Sequence, residues 1–180
     1  MKKSKRISGK VTLNQMIIGL VAFLGLAGMV ALSASKQNTA LQTQAQTTQA
    51  EQKAALVSFV DQGANLISTK GTKAYPEFRK KDSGWWNGDS YLFVYDLNGK
   101  TLVLPPQQNL EGTNRMNTAD SNGVYFVKEM INTLKNANSG WLSYSYPKPG
   151  ETISSPKLSY FRKVSIGKQT VLVGSGVYLK

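Results

Sequence analysis

The chain has no cysteine and no histidine, and only 10 acidic side chains against 22 basic ones. Each shortage removes a class of chemistry. Without cysteine there is no disulfide staple, so the folded part must rest on its core alone. Without either residue there is no Ser–His or Cys–His couple, no thiolate zinc site and no imidazole base. No carboxylate pair stands close in sequence either, which leaves acid–base hydrolysis without its usual groups. The chain is therefore not read as an enzyme, and no cofactor is expected. "DLNG" (96–99) and "DSNG" (120–123) look like fragments of calcium loops. Neither continues into the required ligand pattern, so both are read as turns and no metal site is expected.

The positive charge and one apolar run are the prominent features. Of the net +12, five cations (Lys2, Lys3, Lys5, Arg6 and Lys10) precede "MIIGLVAFLGLAGMVAL", Met16 to Leu32. That run has the length of a short membrane span, and the positive flank places the remainder of the chain outside the cytoplasm. It reads as a retained signal-anchor, the alternative being a cleaved signal peptide, with small residues around Ala31 to Ser35 as the processing site. Residues 1–35 are thus a basic flank and anchor. The expected location is the cell membrane, single-pass with the domain extracytoplasmic, or periplasmic or secreted if the signal is cleaved. Export makes nucleic acid an unsuitable partner for the remaining excess charge, which reads as solvated surface.

Residues 36–70 lack proline and are rich in Gln, Ala and Thr. Leu56, Phe59, Val60, Gly63 and Ile67 recur at helical spacing, which predicts one long helix, with a flexible polar stalk over 36–50 as the alternative. Residues 71–180 form the core. "SYLFVYD" is a strand, Asn98-Gly99 turns it into "KTLVL", and Tyr91, Phe93 and Tyr95 share one face opposite Leu92 and Val94. A strand apolar on both faces is central. A long loop over 107–123 leads to a helix carrying Val124, Val127, Met130, Ile131 and Leu134, then to three more strands. The fold class is α+β: a meander-like antiparallel sheet with helices mostly on one side.

The order of "KDSGWWNGDSYLFVYDLNGKTLVLPP", "LEGTN", "DSNGVYFVKEM", "SGWLSYSYPKPG", "PKLSYFRKV" and "VGSGVYL" resembles the single Cache domains, the PAS-like extracellular sensors of bacterial and archaeal chemoreceptors and sensor kinases. The resemblance runs from about Lys80 to Leu179. It implies a five-stranded antiparallel sheet with the long N-terminal helix packed behind it. It also implies a ligand pocket on the other side, beneath the loop and short helix between the second and third strands. Members bind small organic molecules, often short carboxylates or amino acids, and pass the signal through the membrane. Here the last strand ends at the chain end, so signalling is expected to go through a separate protein, the alternatives being an exported binding protein or a piece of a longer receptor, with a homodimer through the long helix as a further expected partner.

A carboxylate needs a fixed cation and walls that exclude water. The candidate walls are Trp85, Trp86, Tyr91, Phe93, Tyr95, Tyr144 and Tyr146, and the candidate cations are Lys157 and Arg115. Tyrosine suits a polar pocket because its buried hydroxyl needs a partner. Lys157 and Tyr160 match the family's Lys-x-x-Tyr spacing. On a regular strand, however, residues three apart face opposite ways, so both reach one pocket only if Pro156 disturbs the strand start. Arg79 and Arg162 are read as surface residues. A pilin-like or cell-envelope subunit is the competing function. Its support is Gly9 ahead of "KVTL", against which Asn14 stands where a prepilin carries glutamate.

Overall fold

The computed structural model describes the backbone from residue 13 to 179 and the side chains from residue 36 to 179. The expected membrane anchor at Met16–Leu32 lies outside the residues whose side chains are described, and the basic flank with Gly9 lies outside the described residues altogether. Among the described residues, no helix is long and apolar enough to cross a membrane. The chain divides into two units, Met1–Ala50 and Glu51–Lys180. Helix α1, Leu13–Lys70, contributes to both.

In the first unit the polar stretch is helical, and every residue of 36–50 is exposed. Threonine hydroxyls fold back onto the helix, Thr43 Oγ1 onto the Thr39 carbonyl and Thr47 Oγ1 onto that of Thr43, each at 2.9 Å. Such back-bonding satisfies a polar side chain without an outside partner.

In the second unit the end of α1 buries Leu56, Val60, Ala64 and Ile67, one stripe at three-to-four spacing. Gly63 belongs to the same contact, where a Cβ would collide with the Leu92 side chain. Gly71, at φ 61°, ends the helix in the left-handed region that glycine enters without steric cost. A short helix, α2 (Tyr75–Phe78), follows. A two-residue ribbon comes next, β1 (Trp86–Asn87) against β2 (Ser90–Tyr91), folding back across Gly88 and Asp89.

The main sheet contains β3 (Phe93–Asp96), β4 (Thr101–Val103), β5 (Ser139–Pro147), β6 (Ser154–Ile166) and β7 (Gln169–Tyr178). All neighbours are antiparallel, in the order β4-β3-β7-β6-β5. The sheet is not a plain meander, because the last strand inserts between the first hairpin and β6. That insertion makes β3 the interior strand its two apolar faces demand. The β3–β4 turn is fixed by Asp96, whose Oδ1 accepts from the amides of Asn98 and Lys100. Helix α3, Phe126–Asn136, follows the long connection. That connection is not all loop, since Pro105–Leu110 forms 3-10 turns and Lys100 bridges to Asn114.

Two cores result, one on each face. Leu92, Val94, Val103, Val164, Val171 and Val173 pack with the α1 stripe. Tyr91, Phe93, Tyr95, Phe161 and Leu172 pack with Phe126, Val127, Met130, Ile131 and Leu134 of α3. The expectation of helices mostly on one side is therefore corrected. Strand alternation exposes an apolar row on each face, and each row requires its own helix.

Candidate functional site

The α3 face of the sheet holds an unusual set of buried polar groups. Tyr144, Lys157 and Tyr178 lie in one cross-strand row, since Lys157 pairs with Tyr144 on β5 and with Tyr178 on β7. Paired residues on neighbouring strands project to the same face. Lys157 is 1% exposed. Its Nζ donates to the Tyr91 hydroxyl at 2.8 Å and lies 4.2, 4.7 and 5.6 Å from the ring centres of Tyr91, Tyr178 and Tyr146. Gly176 makes room for this packing. A Cβ there would stand 2.5 Å from Lys157 Cε and 2.9 Å from the Leu158 carbonyl.

The second cation approaches from the connection between β4 and α3. Arg115, 9% exposed, donates through Nη1 to the Tyr146 hydroxyl at 2.9 Å, and its guanidinium lies 5.1 Å from the Phe126 ring centre. The Tyr146 hydroxyl in turn donates to Gln107 Oε1, so Tyr146 joins β5 to the start and the middle of the covering segment. Among the described residues, neither Lys157 nor Arg115 is ion-paired to a carboxylate. The aromatic walls are tied to one another as well: Phe126 stacks on Tyr144 at 4.9 Å, and Tyr144 shares a hydrogen bond with Ser159 at 3.1 Å.

Burial dominates the electrostatics. It lowers the Lys157 ammonium to about 7, against which the carboxylate of Asp89 pulls upward. It pushes Tyr91 and Tyr144 well above the ordinary phenol value and Tyr178 up to about 12. Tyr95 is also raised by burial, with Arg115 opposing the shift. These four tyrosines are therefore neutral donors and acceptors across physiological pH.

A pocket of about 240 Å³ opens beside this cluster, with Tyr91, Tyr146, Leu104 and Gln107 in its wall and Lys148 and Glu151 of the β5–β6 turn at its rim. A second, of about 210 Å³, lies by Tyr144, Lys157, Asp120 and Asn122. Asp120 holds the "DSNG" turn against the sheet. Its Oδ1 accepts from the amides of Asn122 and Val124 and its Oδ2 from that of Ser145, at 2.8, 2.9 and 2.7 Å. Burial works to raise this carboxyl, but the three donors outweigh it and hold Asp120 below the usual range.

The structure brings Tyr91, Phe93, Tyr95, Arg115, Tyr144, Tyr146 and Lys157 to this face, with Trp86 at its margin. Two expected members stand elsewhere. Trp85 packs on Phe59 of α1 and Phe78 of α2, and Tyr160 lies in the α1-side core beside Trp141. The reason for Tyr160 is the strand itself. β6 alternates without interruption from Lys157, so a residue three further on faces the other way, Pro156 notwithstanding. Arg79 and Arg162 are part-exposed surface residues, and each also holds a carboxylate partner. Arg79 forks onto Glu111, which also accepts from the Leu104 amide, and Arg162 pairs with Asp61 of α1. Sequence reasoning missed Tyr178, Gln107 and Gly176. Tyr178 stands opposite Lys157 through the β6–β7 register, which the folded sheet supplies.

Known proteins share this fold. The chain is 38% identical to the sensor histidine kinase MctS of Rhizobium johnstonii over 91 residues, 51% of this chain and 19% of the kinase. It thus spans less than a fifth of that relative. A solved periplasmic sensor domain of a chemotaxis protein superposes with a TM-score of 0.63 at 26% identity, covering 73% of this chain and 97% of that one. A Cache chemosensory domain solved to explain carboxylic acid recognition has the same fold, with a TM-score of 0.63 at 20% identity over 75% of this chain and 98% of that one. The family model for single Cache domain 2 matches residues 29–180. By that match, and by a five-stranded antiparallel sheet between a long helix and a covering segment, this chain belongs to the single Cache domain 2 family.

Proposed function

We propose that the chain is an extracytoplasmic sensor module that binds a short organic acid and acts through a signalling partner rather than as an enzyme. The observation that carries this reading is the pair of buried cations, Lys157 and Arg115, on one sheet face, with no carboxylate paired to either among the described residues. Burying a charge without a counter-charge is costly, and an incoming anion relieves that cost. The aromatic surround excludes water and strengthens the contact. The relatives named above are signalling proteins, and the neighbour solved for carboxylic acid recognition supports the same ligand class.

Between an organic acid and an amino acid, the side chains favour the former. An ammonium group needs an acidic or carbonyl partner. Glu111 is committed to Arg79, Asp120 to three backbone amides and Asp89 faces Lys148, which leaves Glu151 at the exposed pocket rim as the remaining carboxylate of the site. The site on this reading comprises Tyr91, Tyr144, Tyr146, Lys157 and Tyr178, with Arg115 and Gln107 positioning Tyr146. Trp86, Phe93 and Tyr95 form the wall behind them. A thermal-shift screen of the full chain against short carboxylates and amino acids, with hits checked by calorimetry, tests it, since a ligand bound only to the folded state raises the melting point. Carboxylate hits that disappear in Lys157→Ala support the reading. A panel without hits, or hits confined to amino acids, overturns it.

A further inference from the structure

We propose that ligand capture at this site is proton-coupled: an anion binds together with a proton taken up by Lys157, so the module responds to acidity as well as to its ligand. The inference rests on the carboxylate-binding reading above and adds the protonation state of the receptor to it.

The geometry around Nζ carries the argument. The Lys157 amine reaches the sheet face through the gap left by Gly176 and is closed in by the Tyr91, Tyr178 and Tyr146 rings. Among the described residues its one hydrogen-bond partner is the Tyr91 hydroxyl, a neutral group. An ammonium has three donors to satisfy. The rings offer their negative faces, which help a cation but do not replace a carboxylate or water.

The charged and titratable neighbours come from every element packed around the amine. β2 presents Tyr91, β5 presents Tyr144 and Tyr146, and β7 presents Tyr178, all phenols that stay protonated or are hydrogen-bonded within the cluster. The covering segment presents Arg115, a like charge beyond Tyr146. α3 contributes apolar side chains to this core. The β1–β2 turn carries Asp89, the one carboxylate among the described residues that acts on Lys157, and Asp89 lies 4.0 Å from Lys148 of the β5–β6 turn. Glu151 sits at the pocket rim. Desolvation therefore prevails and brings the amine down to about 7.

A carboxylate placed against this amine supplies the missing counter-charge and favours the charged form. Binding below neutrality meets an ammonium already formed. Binding above it must draw one proton from solvent, so affinity falls about tenfold per pH unit from pH 7 upward, until the bound-state value is reached.

The experiment has two arms on the full chain. In the first, lysine side-chain nitrogen resonances are followed through a pH titration without ligand, with Lys157→Arg identifying the signal. Titration near neutrality is expected, and titration near 10 overturns the proposal. In the second, acetate, propionate and butyrate binding is measured calorimetrically in buffers of different ionisation enthalpy. Proton uptake rising from near zero at pH 6 toward one per ligand at pH 8.5 is expected, and Lys157→Arg, permanently charged, should flatten it. Carboxylate binding with no proton exchange at any pH defeats the coupling and leaves the binding reading intact. No carboxylate binding at any pH defeats both.

Discussion

Lys157 of β6 and Tyr91 of the β1–β2 ribbon meet at 2.8 Å, 66 residues apart in sequence, and that hydrogen bond is the centre of the site. It joins the ribbon after α2 to β6 and places a cation at the floor of an aromatic cluster. Each partner's removal therefore has a distinct expected consequence.

Replacing Lys157 with Met removes a buried cation and keeps most of its volume. Carboxylate binding should be lost, while the fold should hold or gain about 1–3 kcal/mol at pH 6, because an unpaired buried charge opposes folding. Chemical denaturation with and without acetate reads both effects. Marked destabilisation at pH 6 would contradict the assignment.

The same residue sets a pH trend. Its value is about 7 in the folded protein and about 10.4 in the unfolded chain. Between them the unfolded state binds more protons, so stability should rise with pH from 7 toward 9. Denaturation midpoints of the native chain should show that rise, and Lys157→Met should remove it.

Tyr91→Phe keeps the ring and deletes the acceptor. Lys157 then loses its hydrogen-bond partner, at a cost of about 1–3 kcal/mol where the amine is charged. The penalty should shrink above pH 7 as the amine becomes neutral. An equal penalty at pH 6 and pH 8.5 would show that the hydroxyl serves something other than Lys157.

Gly176→Ala should cost about 1–3 kcal/mol by overpacking, since the new methyl meets the Leu158 carbonyl as well as Lys157 Cε. The backbone atom cannot step aside as a side chain can. Weakened acetate binding should accompany the loss, measured by calorimetry.

Tyr160→Phe should leave carboxylate affinity unchanged, because that ring lies in the α1-side core. A tenfold loss of affinity would put Tyr160 back among the ligand contacts.

Much of the core was legible because strand alternation is local. "YLFVY" placed Tyr91, Phe93 and Tyr95 opposite Leu92 and Val94, and the two cores contain those two sets. The α3 stripe was legible for the same reason at helical period. The resemblance to Cache sensors supplied the five-stranded sheet and the side on which to look. The sheet order was not legible. Bringing β7 between β3 and β6 depends on pairing over long separations, and no local pattern encodes it.

By itself, then, the sequence determined which residues could not take part in chemistry, which faces were apolar, and that two cations and a set of tyrosines stood near the strands. Those properties come from side-chain type and a repeat of two or 3.6 residues. Only the tertiary structure decided that Lys157 turns toward Tyr91 while Tyr160 turns away. It alone also showed that Tyr178 completes the cluster and that Gly176 leaves the space. Cross-strand register is set by how all the strands pack together, and a site assembled across β2, β5, β6 and β7 exists only after that register is fixed.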